Sequence, residues 1–251
     1  AIAVRAAALA DMGHQVNVVT TPSAELTPGF HSERKVTVHR LACQHGINSK
    51  QFYDACVDWC GRFNPDVIHV DDPDVHHPWW DGIKATKAAT IHRSAFGRWV
   101  ESTNMQRCGI PAKAGYSVRD GFDEGLALRR TFHVAMFPSK WDAWIYKSLS
   151  GINNARVVYL PLSLDCYSAD CDMRKEHWLA VKEPGESEVS DGVRLAERAA
   201  EKAGVAIQSV TRSNTTGQVV VYDESVGVVL PSFTAHLPYA LGEALARRRP
   251  V

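Results

Sequence analysis

A chain of 251 residues, 45% apolar and 22% charged, is long enough for two modest domains with cores of their own. Its 28 Lys plus Arg balance its 28 Asp plus Glu, so no net field draws in nucleic acid or an anionic membrane, and any membrane association is expected to be peripheral at most. No apolar run approaches the ~20 residues needed to span a bilayer, and no basic segment followed by an apolar core reads as a leader, so the expectation is a soluble, cytoplasmic protein.

The six cysteines fit that compartment as reduced thiols. Cys56 and Cys60 are four apart and Cys166 and Cys171 five apart, neither with zinc-ribbon spacing. In chain order, "AIAVRAAALADMGHQVNVVTT" is an alanine-rich helix ended by Gly13 and followed by a β-branched strand, Gln15–Thr21. "KVTVHRL" reads as the next strand. "SKQFYDACVDWCGRF" is a helix with Phe52, Cys56, Trp59, Cys60 and Phe63 on one face, and "PDVIHVDD" is a short buried strand. "KAATIHR", "HVAMFPS" and "ARVVYLP" continue as strands, with the helix "SKWDAWIYKSLSG" between the last two. Alternating short strands and amphipathic helices predict a parallel sheet with helices on both faces.

After Leu162 the composition shifts. "SLDCYSADCDMRKEH" is polar, lacks a period, and separates the first series from a second. That second series runs "HWLAV", a helix over Asp191–Gly204, "VAIQSV", "QVVVYD", "VGVVLPS" and a last helix within "LPYALGEALARRRPV". The expected organisation is an N-terminal Rossmann-like domain over 1–162 and a shorter C-terminal one over 163–251. A ligand cleft would then lie between the carboxyl ends of their strands.

The blocks "LADMGHQVNVVT", "PDVIHVDD", "ATIHRSAF", "FPSKW", "ARVVYLPLSLD" and "VVLPSFTAHLPYALGEALARRRPV" together resemble a GT-B glycosyltransferase, most similar to retaining family four, the glycosyl transferases of group 1. In the last block that family has Pro-Ser, two residues, Glu-Gly-Phe-Gly, Glu-Ala-Met-Ala and, beyond a glycine, Pro-Val. Pro231, Ser232, Glu243, Ala244, Ala246, Pro250 and Val251 match in register. The first glutamate of the family's pair is Ala235 here, the glycine after it is His236, and the glycine before Pro-Val is Arg248. The resemblance implies an α/β fold of GT-B type, two Rossmann-like domains facing across a cleft. The first would be the acceptor side, lacking its first strand, and the second a truncated nucleotide-sugar domain. The chain would thus be a fragment or a reduced variant.

The implied activity is hexose transfer, with retention, from a nucleotide-diphosphate sugar to an unknown sugar, lipid or protein acceptor. No metal and no cofactor beyond the donor substrate is expected. A diphosphate suits the bare N–H groups of a helix N-terminus, where Pro238 fits the first turn. His236 adds a donor, and Ser232 and Thr234 complete the donor-binding loop. Glu243 would accept hydrogen bonds from the ribose hydroxyls; the alternative is a partly exposed helix glutamate near a favourable dipole end. Lys182 stands near the family's phosphate-binding arginine, and Asp191 occupies the place of its lysine, where it or Ser190 reads better as a helix cap.

His92, at a strand end, matches a histidine that in the family contacts the donor sugar or the reaction centre, with Arg93 and Ser94 as neighbours; otherwise it is a hydrogen-bonded packing residue. In "DDPDVHH", Asp71, Asp72, Asp74, His76 and His77 are candidate metal ligands by type, but an acceptor-side or structural loop is the preferred reading. Because Ala235 replaces a family carboxylate, the rival reading is a GT-B-like binding or structural protein that has lost turnover.

Overall fold

The computed structural model describes residues 2–21, 29–33, 35–41, 50–76, 78–107, 116–159, 177–182, 193–211, 222, 225–230, 239–247 and 249–251. The chain divides into two compact units, one of Ala1–His92 with Phe122–Pro161, the other of Arg93–Gly121 with Leu162–Val251. Among the described residues no helix is long and apolar enough to cross a membrane.

The first unit opens with helix α1 (Ile2–Asp11), whose Ala6 and Ala10, four apart and so on one face, are buried with Val36 against Val16, Val18 and Val38. Small alanines let the helix lie close to strands β1 (Val16–Thr20) and β3 (Val36–Arg40), which run parallel; β2 (Gly29–Glu33) joins β3 antiparallel, so this sheet has the order β1-β3-β2. Helix α2 (Lys50–Phe63) buries Phe52, Tyr53 and Trp59, with Trp59 stacked on Phe63 and edge-on to His39. A separate four-stranded sheet follows, all parallel, in the order β4 (Val67–Asp71), β5 (Thr86–Thr90), β6 (Val134–Phe137) and β7 (Ala155–Val157).

The core of that sheet includes Ala89, Ala135, Phe137 and Ala155, fully buried together with Tyr146 and Ile152. Helix α5 (Lys140–Ser150), between β6 and β7, starts and stops for identifiable reasons. Ser139 is its extended N-cap, accepting from the Asp142 N–H at 3.0 Å and donating its hydroxyl to the Asp142 carboxylate at 2.5 Å, so the cap and the first turn hold each other. Gly151 ends it at φ 63°, a left-handed conformation that glycine takes without a Cβ penalty.

In the second unit, β8 (His177–Lys182) is the central strand of a parallel sheet ordered β10-β8-β9, flanked by β9 (Ala206–Thr211) and β10 (Gly227–Val229). Helix α6 (Val193–Ala203) buries Ala196 and Ala200, again four apart, and packs on β8 and β9. Leu179, Val181, Tyr222, Val228 and Ala244 form the core of this unit, the last supplied by helix α7 (Tyr239–Ala246). The end of the chain is tied to the sheet, because Val228 N–H donates to the Pro250 carbonyl at 2.8 Å. A Cβ on Gly227 would lie 2.6 Å from the Trp178 ring and 3.1 Å from that carbonyl, so this strand position admits glycine alone without rearrangement.

Among the described strands and α-helices, β2, α3 (Ala95–Arg107) and α4 (Val118–Thr131) have no counterpart in the sequence reading, nor has the short 3-10 turn Pro78–Gly82. The sequence "GFHSE" has a single large apolar residue, which hides a strand whose ladder comes from its antiparallel neighbour. In α4, Gly121 and Gly125 weaken the helical signal, yet each lies inside the helix where a Cβ would collide, with the Phe96 ring and with Ser150 respectively. These glycines serve close packing, not turns. Where a single parallel sheet is expected for the first series, its described residues form two sheets, one all parallel and one mixed. The expected strand "QVVVYD" lies outside the described residues except for Tyr222.

Candidate functional site

Parallel pairing of β4 and β5 places Asp71 opposite Thr90, at the carboxyl ends of both strands. Because side chains alternate with period two, His69 and Asp71 share a face of β4, and Thr90 and His92 continue the same face of β5. Arg5, from the first turns of α1, completes the group. Its Nη2 donates to Asp71 Oδ1 at 3.2 Å and its Nη1 to Thr90 Oγ1 at 3.2 Å, and Nη1 also lies 2.8 and 3.0 Å from the two ring nitrogens of His69. His69 Nε2 is 2.7 Å from Thr90 Oγ1.

His92 is held twice. Its Nε2 lies 2.9 Å from Asp71 Oδ1, and its backbone N–H donates to Asp72 Oδ1 at 2.7 Å. Asp72 reaches that position through a left-handed backbone, φ 44°, while its own N–H donates to the Thr90 carbonyl at 2.8 Å. A non-glycine residue in this region costs about 1 kcal/mol or more, a cost the two hydrogen bonds offset.

The electrostatics of the cluster follow from this geometry. Burial by itself would raise the Asp71 carboxyl, but the His92 hydrogen bond and the charges of Arg5, His92 and His69 outweigh it, and its pKa is lowered. His69 is pushed down to about 4, chiefly by burial and then by the Arg5 charge, against the pull of Asp71. It is therefore neutral at neutral pH and can offer a ring lone pair to Arg5.

The remaining members of "DDPDVHH" are spent on the loop. Asp74 N–H donates to the Tyr53 hydroxyl at 3.3 Å, its carboxylate accepts from His76 N–H at 3.1 Å, and its carbonyl accepts from the buried Trp80 indole at 2.9 Å. His77 lies outside the described residues. Among the described residues no group of three or more His, Cys, Asp or Glu side chains is arranged to hold a metal ion.

The structure thus surrounds His92 with groups that the sequence did not assign to it. Arg5, His69 and Thr90 carried no functional reading, and Asp71 and Asp72 were read only as loop or ligand candidates. One signal was available, the alternation in "IHVD" that sets His69 and Asp71 side by side. Arg5 had none, because a helix residue 64 positions from His69 meets it only through the fold. Arg93 follows His92 and is exposed, and Ser94 is fully buried, accepting from Gly97 N–H at 3.0 Å as the cap of α3.

Of the residues expected to bind the donor, Glu243 lies in α7 and is only 5% exposed. Its Oε2 accepts from the Tyr222 hydroxyl at 3.0 Å, so it is a buried residue rather than the partly exposed helix glutamate of the alternative reading. Lys182 closes β8, and its side chain is outside what the structure describes; Ser232, Thr234, His236, Pro238 and Ala235 lie outside the described residues, as do Ser190 and Asp191.

No protein-family profile matches the chain, and no curated protein matches it by sequence. By structure it is similar to sucrose-phosphate synthase from Thermosynechococcus elongatus, with a TM-score of 0.68 at 16% identity over 100% of this chain and 74% of that one. It is also similar to a TarM mutant from S. aureus, solved in complex with Fondaparinux, alpha-GlcNAc-glycerol and UDP, with a TM-score of 0.56 at 12% identity over 80% of this chain and 44% of that one.

Proposed function

We propose, from the GT-B glycosyltransferase fold that this chain has, that it transfers a hexose with retention from a nucleotide-diphosphate sugar to a sugar, lipid or protein acceptor. The observation that carries the reading is His92, fixed through ring and backbone at the carboxyl end of a parallel strand, where open α/β sheets bind ligands. In this reading the first series of strands and helices, over 1–162, is the acceptor side and 163–251 holds the nucleotide. His92 contacts the donor sugar, with Arg93 beside it. Glu243 accepts from the ribose, and Ser232, Thr234, His236, Pro238 and Lys182 surround the diphosphate. Charge developing on the leaving group is met by the N-terminal end of the last helix and by basic side chains, without a metal.

Ala235 favours a second reading, a protein that binds the nucleotide sugar without turning it over, since a carboxylate that the family keeps beside the transferred sugar is absent. Calorimetric titration of the folded chain with UDP, GDP and ADP tests the shared part of both. Saturable binding of one of them is expected, and no binding of any would overturn the nucleotide-sugar reading. Radiolabelled donor assays then separate the two: Ala235→Glu is expected to raise transfer or donor hydrolysis without a matching gain in nucleotide affinity. An unchanged rate in a well-folded variant would count against a catalytic loss at this position.

A further inference from the structure

We infer that Asp71, with its charge balanced by Arg5, is a positioning residue: it fixes the His92 imidazole with the proton on Nε2 and so presents Nδ1 as an acceptor to a hydroxyl of the bound sugar. The clause about the sugar rests on the function proposed above; the positioning itself does not.

The argument begins with what Asp71 can do. An ionised carboxylate accepts hydrogen bonds and donates none. Asp71 is kept ionised by His92 and Arg5 despite its partial burial. The 2.9 Å contact between Asp71 Oδ1 and His92 Nε2 therefore requires the proton to be on Nε2. In a neutral imidazole the other nitrogen then carries a lone pair. No partner for Nδ1 is present among the described residues, and the His92 side chain keeps 23% of its surface exposed.

The ring cannot turn to offer its other edge without breaking the Asp71 bond. Nor can the backbone slide, because the main-chain N–H is held by Asp72 at 2.7 Å. Asp71 is in turn anchored by Arg5, and Arg5 by Thr90 and the neutral His69. Among the described residues, the charged and titratable groups around His92 are thus Arg5 on α1, His69 and Asp71 on β4, Asp72 after it, and the neighbouring, exposed Arg93. The consequence for recognition is specific. A bare Nδ1 is satisfied by a sugar O–H, which brings a proton, and not by a fully ionised phosphate oxygen, which brings none.

The test needs no substrate. The full chain is labelled with 15N-histidine, long-range proton–nitrogen spectra are recorded at a pH where the ring is neutral, and the His92 signals are assigned by their loss in His92→Gln. The wild type is expected to show a protonated Nε2 and a bare Nδ1. Asp71→Asn, whose amide oxygen still accepts, is expected to keep that pattern. Asp71→Leu is expected to give averaged nitrogen shifts from mixed tautomers; should it fail to fold, Asp71→Ser, too short to reach the ring, makes the same comparison.

A wild-type ring protonated on Nδ1, or an Asp71→Leu or Asp71→Ser spectrum equal to the wild type, would overturn the proposal. Turnover of radiolabelled UDP-glucose supplies a second reading. Asp71→Leu is expected to lower kcat at least tenfold with KM nearly unchanged, and Asp71→Asn to recover most of the loss. Equal loss in both variants overturns the positioning role. Absence of wild-type turnover with the UDP-, GDP- and ADP-hexoses alike, beside the expected tautomer pattern, overturns the transferase reading and leaves the positioning standing.

Discussion

Asp71 and Glu243 are both carboxylates with little exposure, 18% of the side chain for one and 5% of the residue for the other, but they stand on different elements and meet different neighbours. Asp71 lies at a strand end among an arginine, two histidines and a threonine, and its neighbours compete for one oxygen. Glu243 lies on a helix against the apolar core that Leu179, Val181, Tyr222 and Val228 form, and it accepts from the hydroxyl at the edge of that core. The difference teaches that a buried carboxylate is not one kind of feature. Where charges of both signs converge, the group orients others and responds to pH; where it meets a core tyrosine, its removal is first a matter of stability.

Glu243→Ala gives the largest expected break in that comparison. It leaves the buried Tyr222 hydroxyl without its carboxylate and should lower unfolding stability by about 2–3 kcal/mol, read by chemical denaturation, as well as nucleotide affinity. Glu243→Gln, which keeps an acceptor, should recover most of the stability. An Ala variant as stable as the parent would remove the structural role assigned to the Tyr222 bond.

Acid titration sharpens the other side. The folded chain holds His69 at about 4 against an ordinary value of 6.5, so between those values the unfolded chain binds a proton that the fold refuses. Stability from this group is full above about pH 6.5 and is lost as pH falls toward 4, on the order of 2 kcal/mol once partial solvent screening is discounted. His69→Gln should flatten the pH dependence of the melting temperature in that window. Asp71, lowered below its ordinary 3.8, keeps its contribution until more acid conditions and loses it as pH falls through its folded value.

Two smaller effects contrast packing with capping. Gly227→Ala pushes a methyl group toward the Trp178 ring and the Pro250 carbonyl and should cost about 1–2 kcal/mol, with loss of protection at the Val228 amide in hydrogen exchange. Ser139→Ala removes the N-cap of α5 and should cost about 1 kcal/mol by denaturant melting, with Ser139→Asp recovering much of it. A Gly227→Ala variant that melts like the parent would mean that Trp178 moves aside freely.

The strands of the parallel sheets and the helices α1, α2, α5 and α6 were legible because their patterns are local. "VIHVD" alternates over a β-branched run, alanines four apart mark the buried faces of α1 and α6, and Ser139 and Gly151 punctuate α5. The α4 helix was not legible, since Gly121 and Gly125 follow the demands of Phe96 and Ser150, residues that lie outside any sequence window around them. His92 stood out as a histidine at a strand end, within blocks whose order resembles the GT-B glycosyltransferases. Which groups hold it did not, because Arg5, Asp71 and Thr90 meet only when a helix covers two paired strands.

The sequence by itself determined the alternation of elements, the strand-end location of His92, and the presence of Glu243 and absence of a carboxylate at Ala235. These depend on residue type and on periods of two and 3.6, which act over a few neighbours. Only the tertiary structure decided that Asp71 turns to His92 and Arg5, that His69 is neutral, and that Glu243 is buried against Tyr222. A side chain's partners, and through them its charge, depend on which distant residues the fold packs around it, and on how much water it excludes.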